Sequence, residues 1–464
     1  MKKEKWITFT LFLAVAMLLL IGCNKDDGGV TPTDDTIVDP VDDITNPPQG
    51  FLGELDFVLT YGGSGTDTAS DMVEATDGSY VIVGTTESTD GDITDKTETS
   101  KDVWVLKVDA QGQKIWSKTY GGTNNDVGNS INHTSDGGYI ISGYSRSTDG
   151  DVSGNEGFQD YWILKIDADG NVQWDKNYGF LGGEQAFNTF QTEDGGYFAG
   201  GFLDVTGSGG AGNDDGRSSR HGVGEFWGIK MNSNGDKVWR RYFGGSNNDR
   251  CYDALQTEDG GFLMIGASES FDFDITDDKG SYDYWVVRVD DAGNLLWTKS
   301  FGGLEIDIAY GVTHSKDGNY IIVGDARSTD QDVSNPIGNA DLWVVKFRDD
   351  GSMIWEKSLG GTAFDSAKNI YPLDSGSYVI SGSSRSSDGD VSENKGENDA
   401  WVLIIDSNGA LQFEMSIGGA GLDFGNHAME TSDNKIILVG DSTSNDGNIP
   451  QNRGSSDFMV VKIK

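Results

Sequence analysis

The sequence predicts an all-β protein, a seven-bladed β-propeller of four-stranded antiparallel blades closed by an N-terminal strand at residues 53–61. Three observations predict it. One unit recurs seven times: the acids Asp67, Asp126, Glu184, Asp249, Asp307, Asp365 and Asp423 are separated by 59, 58, 65, 58, 58 and 58 residues, a period typical of solenoids, propellers and arrays. Each unit holds four short apolar runs bounded by Gly, Asp and Asn turns, which is the content of one propeller blade. Six units end on a strand around Trp116, Trp174, Trp239, Trp297, Trp355 and Phe413, whereas the seventh stops before it. Residues 53–63 align without gaps on residues 293–303, the missing strand. A strand borrowed in this way is useful only if the first and last units touch, so the array is expected to close into a ring.

The second copy shows the reading of each element. Residues 127–133 form the inner strand, and residues 138–143 form the second strand after the Asp136-Gly137 turn. Residues 161–166 and 171–176 form the third and fourth strands, on alternation and Gly-bounded length. Between them Asp167-Ala168-Asp169-Gly170 reads as a type I turn with a left-handed Gly, closing a bulged hairpin. That hairpin is expected to put Trp162 and Trp174 on one face, between adjacent blades. The units run over about 62–120, 121–178, 179–243, 244–301, 302–359, 360–417 and 418–464 plus 53–61.

Composition narrows the function classes. The net charge of −41 repels phosphate backbones, so nucleic acid is not an expected partner. Four of the seven Pro (Pro32, Pro40, Pro47, Pro48) precede the repeats, leaving a Pro-poor, Gly-punctuated ring. Eleven of the twelve Trp sit at two repeat positions, which identifies them as core. With only Cys23 and Cys251 there is no disulfide framework, and Cys251 is expected to pack as a small apolar group.

The N-terminal segment is read separately. A basic start and an apolar run from Trp6 to Ile21 form a signal peptide, residues 1–22, too short to span comfortably as a helix. The run ends Leu20-Ile21-Gly22-Cys23, which resembles the lipobox of bacterial lipoproteins and implies that Cys23 is lipidated. Lys25, Asp26 and Asp27 resemble the acidic export signal of Bacteroidota surface lipoproteins, implying an outer-membrane anchor facing the cell exterior. Residues 23–52 have the composition of a flexible polar tether.

The repeat itself carries a second resemblance. Asp160-Tyr161-Trp162-Ile163-Leu164-Lys165-Ile166-Asp167, Gly170-Asn171, Trp174 and Tyr178, with Gly121-Gly122, Asp126 and Asp136-Gly137-Gly138-Tyr139, are similar to the SBBP-type bacterial β-propeller repeat. The resemblance covers residues 53–464. It implies the fold and no particular activity.

Candidate ligand groups follow from the topology. In a blade the connections before the inner strand and after the second strand share one face, which makes that face acidic. The seven period-setting acids are expected around the channel mouth as ligand candidates. Asp149, Asp151 and Asp160, and likewise Asp388, Asp390 and Asp399, offer clustered hard oxygens of the kind calcium prefers. The same Asp residues also suit turn formation. Calcium is the only cofactor suggested. The third unit breaks the pattern with a Gly-rich connection holding Arg217, Arg220 and His221. No catalytic residue is assignable, because His133, His221, His314 and His427 make no triad or metal spacing. The expected function is a monomeric, surface-tethered, non-enzymatic module binding a protein, glycan or cation on its acidic face. The alternatives are an extracytoplasmic hydrolase or lyase using carboxylates there, and a structural spacer in an envelope complex.

Overall fold

The computed structural model describes residues 47, 50–216 and 222–464. Seven four-stranded antiparallel sheets follow one another along the chain. The blade of the second unit consists of Asp126–His133, Tyr139–Ser145, Asp160–Ile166 and Val172–Tyr178, each within two residues of the expected bounds. The only described helix is a single turn, Val205–Ser208, in the third blade.

Closure occurs as expected. Leu55–Tyr61 pairs antiparallel with Asp457–Ile463, the third strand of the last blade, with Leu59 opposite Val460 and Tyr61 opposite Phe458. The backbone of Lys464 exchanges hydrogen bonds with Leu52 and Glu54, so the two chain segments finish as one sheet.

The core lies between blades. Third strands are buried throughout, as in Asp160–Ile166, and second strands nearly so, as in Tyr139–Ser145 where only Tyr144 is half-buried, whereas fourth strands are half exposed. The Trp expectation needs correction. Trp162 packs with Val81, Val83 and Ile131 between blades one and two, whereas Trp174 packs with Tyr161 and Trp227 between blades two and three. The bulge falls beyond Lys165, which pairs with Trp174. Trp162 lies three residues before Lys165, an odd offset that places it on the opposite face.

Every inner strand also carries a β-bulge that the alternation did not reveal. In the first blade Ala69 pairs with Gly84 and Asp71 with Val83, leaving Ser70 out of register. The equivalent residues are Asn129, Phe187, Tyr252, Tyr310, Lys368 and Asn426. A bulge re-aims side chains, and here two consecutive positions in six blades, and Tyr310 in the fifth, line the channel. The opposing Gly is sterically required: a Cβ on Gly143 would stand 1.8 Å from the Val127 carbonyl oxygen.

Candidate functional site

The seven acids expected at the channel mouth are instead buried, each with 0% exposure. Asp126 Oδ2 accepts from the Gly122 N–H and the Ser147 hydroxyl, both at 2.8 Å, while Oδ1 accepts from the Ser145 hydroxyl and the Arg146 N–H. The same clamp recurs at Asp67, Asp249, Asp365 and Asp423, and at Asp307 with Ala326 in place of the first hydroxyl. In the third blade Leu203 and Val205 occupy the two hydroxyl positions. Glu184 accepts from the Phe180 N–H and keeps an unmatched Oε1.

Each clamp faces a second carboxyl from the preceding blade. A Cβ on Gly121 would meet Asp126 Oδ2 at 2.7 Å and Asp102 Oδ1 at 2.9 Å. Gly62, Gly179, Gly244, Gly302 and Gly418 stand in the same way between Asp67 and Asp457, Glu184 and Asp160, Asp249 and Glu225, Asp307 and Asp283, and Asp423 and Asp399. The first Gly of each unit is therefore the spacer that lets two carboxyls share a blade seam.

Like charges out of water cannot both ionise cheaply. Burial pushes Asp102 and Asp283 up to about 7, Asp160 and Asp399 to about 6, Glu184 to about 8 and Glu225 to about 11. The facing carboxylate adds to the shift at Asp102, Glu225, Asp283 and Asp399. These folded values lie above the unfolded ones, so the stability they contribute is complete below the ordinary carboxylate range and is lost as pH rises through about 6 to 8 for five of them and through about 11 for Glu225. Asp259, held at about 2 by the Thr257 hydroxyl and Arg288, loses its contribution only at more acid pH. The urea midpoint is therefore expected to be higher at pH 5.5 than at pH 8.5, and to remain so in high salt, which screens surface repulsion. Asp160→Asn should flatten the slope; equal midpoints at the two pH values would show that the seams do not titrate.

The outer loop acids are engaged with backbone. Asp149 Oδ1 accepts from Thr123 N–H at 2.9 Å and Asp151 Oδ2 from Gly121 N–H at 3.2 Å, stapling two loops of one blade. Asp388 and Asp390 repeat this on Thr362 and Gly360. Asp160 and Asp399 accept from the Glu156 and Lys395 N–H groups, each leaving Oδ1 unmatched in its seam. Among the described residues no group of three or more His, Cys, Asp or Glu is placed to hold a metal ion.

The large concavity is the central channel, about 1090 Å³, within the usual size class of ligand cavities. Its wall runs from the bulged residues to the turns holding Asp374 and Ser432, so it extends toward the end opposite the acidic loops. At the first bulge position, blades seven, one and two hold hydrogen-bonding side chains. Asn426 donates to the Ala69 carbonyl at 2.7 Å, Ser70 to that of Gly128 at 2.9 Å and Asn129 to that of Ala186 at 2.8 Å. Blades three to six hold an aromatic arc ending in a cation. The Phe187 and Tyr252 rings lie 5.2 Å apart and the Tyr252 and Tyr310 rings 5.1 Å apart, while Lys368 Nζ stands 3.4 Å from the Tyr310 centroid.

The next position ties blade to blade. Asp71 accepts from the Ile131 N–H at 2.8 Å and pairs with His427 Nδ1. Asp253 accepts from Val312 and Ala254 N–H groups and from Asn188 Nδ2, yet burial still pushes it up to about 7. Asn188 Oδ1 and His427 Nε2 remain unmatched.

His133 and His314 bond the backbone carbonyls of Glu74 and Gln256 and lie against Tyr139 and Tyr320, the packing role their shared repeat position suggests. Cys251 is fully buried, and burial pushes its thiol up. The third-blade connection is anchored on its own blade by Asp214 with Lys237 and Arg240 and by Trp227 Nε1 on the Gly212 carbonyl. Arg217, Arg220 and His221, and with them Cys23, Lys25, Asp26 and Asp27, lie outside the described residues.

No protein-family model and no curated protein matches the sequence. In structure the chain is similar to a protein of unknown function from Bacteroides caccae, with 12% identity, a TM-score of 0.40, and coverage of 77% of this chain and 93% of that one. It is also similar to the Neurospora crassa Pan2 WD40 domain, with 8% identity, a TM-score of 0.47, and coverage of 88% and 94%. Sqt1 from Chaetomium thermophilum matches with 9% identity, a TM-score of 0.44, and coverage of 89% and 99%. These are likenesses of fold alone.

Proposed function

We propose that this propeller is a non-enzymatic binding module whose recognition site is the central channel. One observation carries the proposal. Seam acids, turn acids and Trp recur nearly unchanged from blade to blade, whereas the bulged position reads Ser70, Asn129, Phe187, Tyr252, Tyr310, Lys368 and Asn426 around one cavity. Positions that build a repeat stay alike in every copy, while a ligand that does not share the repeat's symmetry needs unlike groups around it. The period-setting acids accept from seam donors and the loop acids from backbone N–H groups. A thermal-shift screen of glycans, peptides and small molecules tests the reading. Ligands that raise the melting temperature should do so in the wild type and fail with Tyr252→Ala; hits indifferent to that change would place recognition elsewhere.

The module is further proposed to be an SBBP-type repeat lipoprotein held at the outer membrane through Cys23. The Leu20-Ile21-Gly22-Cys23 run and the polar stretch after it support this. Cys23→Ala should move the protein from the membrane to the soluble fraction; continued anchoring would refute lipidation at Cys23.

A further inference from the structure

The chemistry of the channel wall narrows the ligand class, an inference that rests on the channel being the binding site. Buried cations elsewhere are matched: Lys107, Lys165, Lys230, Arg288, Lys346 and Lys462 each meet a carboxylate at 2.7 to 3.3 Å. Lys368 is different. Its ammonium lines the cavity over the Tyr310 ring and has no hydrogen-bond or ion-pair partner among the described residues. The charge it senses is that of Asp325, which is buried behind the wall and accepts from the Ser366 hydroxyl at 2.9 Å. A cation over a ring face is stabilised by the quadrupole, and its N–H donors remain available to an anion. Next to it the Phe187, Tyr252 and Tyr310 arc offers apolar ring surface.

Across the channel, Asn129 donates an amide N–H to the Ala186 carbonyl, and Asn426 donates to the Ala69 carbonyl and to Asp441 Oδ1. Those bonds fix the amide orientation, and among the described residues no donor meets either Oδ1. Acceptors of this kind match hydroxyl donors. An unsubstituted aromatic acid would leave them unmet, at a cost for each, and a neutral sugar would leave the ammonium unmet.

We propose that the channel binds an acidic sugar, its carboxylate on Lys368, its pyranose face on the Phe187 and Tyr252 rings, and its hydroxyls on Asn129 and Asn426. Of the five acids on the wall, Glu74, Asp374 and Glu430 lie at the turn end, where Glu74 accepts from the Ser432 N–H and Glu430 from the Asp374 N–H. Asp71 is paired with His427, and Asp253 accepts three N–H donors. The expectation is selective binding of one carboxylate, rather than general attraction of anions by a chain of net charge −41.

The test is calorimetric titration of the full chain in detergent with a galacturonate trisaccharide, the neutral galactose trisaccharide of the same linkage, and benzoate. The acidic trisaccharide should bind at least about ten-fold more tightly than either control. Lys368→Met should remove that preference while the melting temperature is kept, and Lys368→Arg should retain it. Equal affinity for acidic and neutral trisaccharides, benzoate binding as tightly as the acidic trisaccharide, no binding of the acidic trisaccharide, or an unaltered preference in Lys368→Met would overturn the inference. Neutral-sugar binding lost in Tyr252→Ala but kept in Lys368→Met would overturn the acidic-sugar inference alone, leaving the channel as the site.

Discussion

Removing residues 53–61 is expected to lower the melting temperature by at least about 10 °C and to expose the whole ring to unfolding. The strand Leu55–Tyr61 covers Asp457–Ile463, whose seven residues are all buried in the intact molecule. Phe57, Leu59 and Tyr61 pack into the interface between the last and first blades, and Leu55 and Val58 into that between the sixth and seventh. Tyr61 is buried and the other four are half-buried, so at about half of the roughly 1.5 to 3 kcal/mol for a fully buried side chain the five contribute about 4 to 8 kcal/mol, comparable with the stability of an ordinary domain. The deletion also bares an unpaired strand edge, which promotes aggregation. A synthetic peptide spanning residues 50–63, added in trans, should recover part of the lost stability because it restores the same register. An unchanged melting temperature in the deletion would mean that the ring does not depend on its closing strand.

Asp126→Ala is expected to destabilise the propeller by about 3 to 5 kcal/mol, a large effect for one exchange in a chain with so many acids. The substitution strands the Gly122 N–H and the Ser145 and Ser147 hydroxyls in a buried seam, while the Arg146 N–H keeps the Asn125 carbonyl at 3.0 Å. Each lost acceptor costs about 1 to 3 kcal/mol, and relief of repulsion with Asp102 offsets a part. Asp126→Asn keeps one acceptor oxygen and should cost less than half as much. Urea unfolding reads both. A midpoint for Asp126→Ala within error of the wild type would show that the ring acids are not clamps.

The blade count, the closing strand and the strand bounds were legible because they depend on period, alternation and Gly-bounded turns. Three features were not. Placing Trp162 and Trp174 on one face failed because the hairpin bulge lies beyond Lys165, and a one-residue difference in bulge position reverses the face. The seven acids were legible as repeat markers but not as seam clamps. Their hydroxyl partners, such as Ser145 and Ser147, lie 19 and 21 residues along the chain. The channel constellation was missed because a bulge in each inner strand breaks the alternation at the residues that line it. A signal was present: aligned copies agree at the Asp and Gly positions and disagree at Ser70, Asn129, Phe187, Tyr252, Tyr310, Lys368 and Asn426.

Recognition in the channel and recognition on the acidic loops make opposite demands on one measurement. With a ligand from the thermal-shift screen in hand, its affinity is measured for a loop variant, Asp149→Asn with Asp388→Asn, and for a channel variant, Phe187→Ala with Tyr252→Ala. The expected result is loss of at least about ten-fold in the channel variant and a change within about two-fold in the loop variant, since stacked aromatic contacts contribute on the order of 1 kcal/mol each beyond the area they bury. Binding weakened by the loop variant and untouched by the channel variant would contradict the channel as the site.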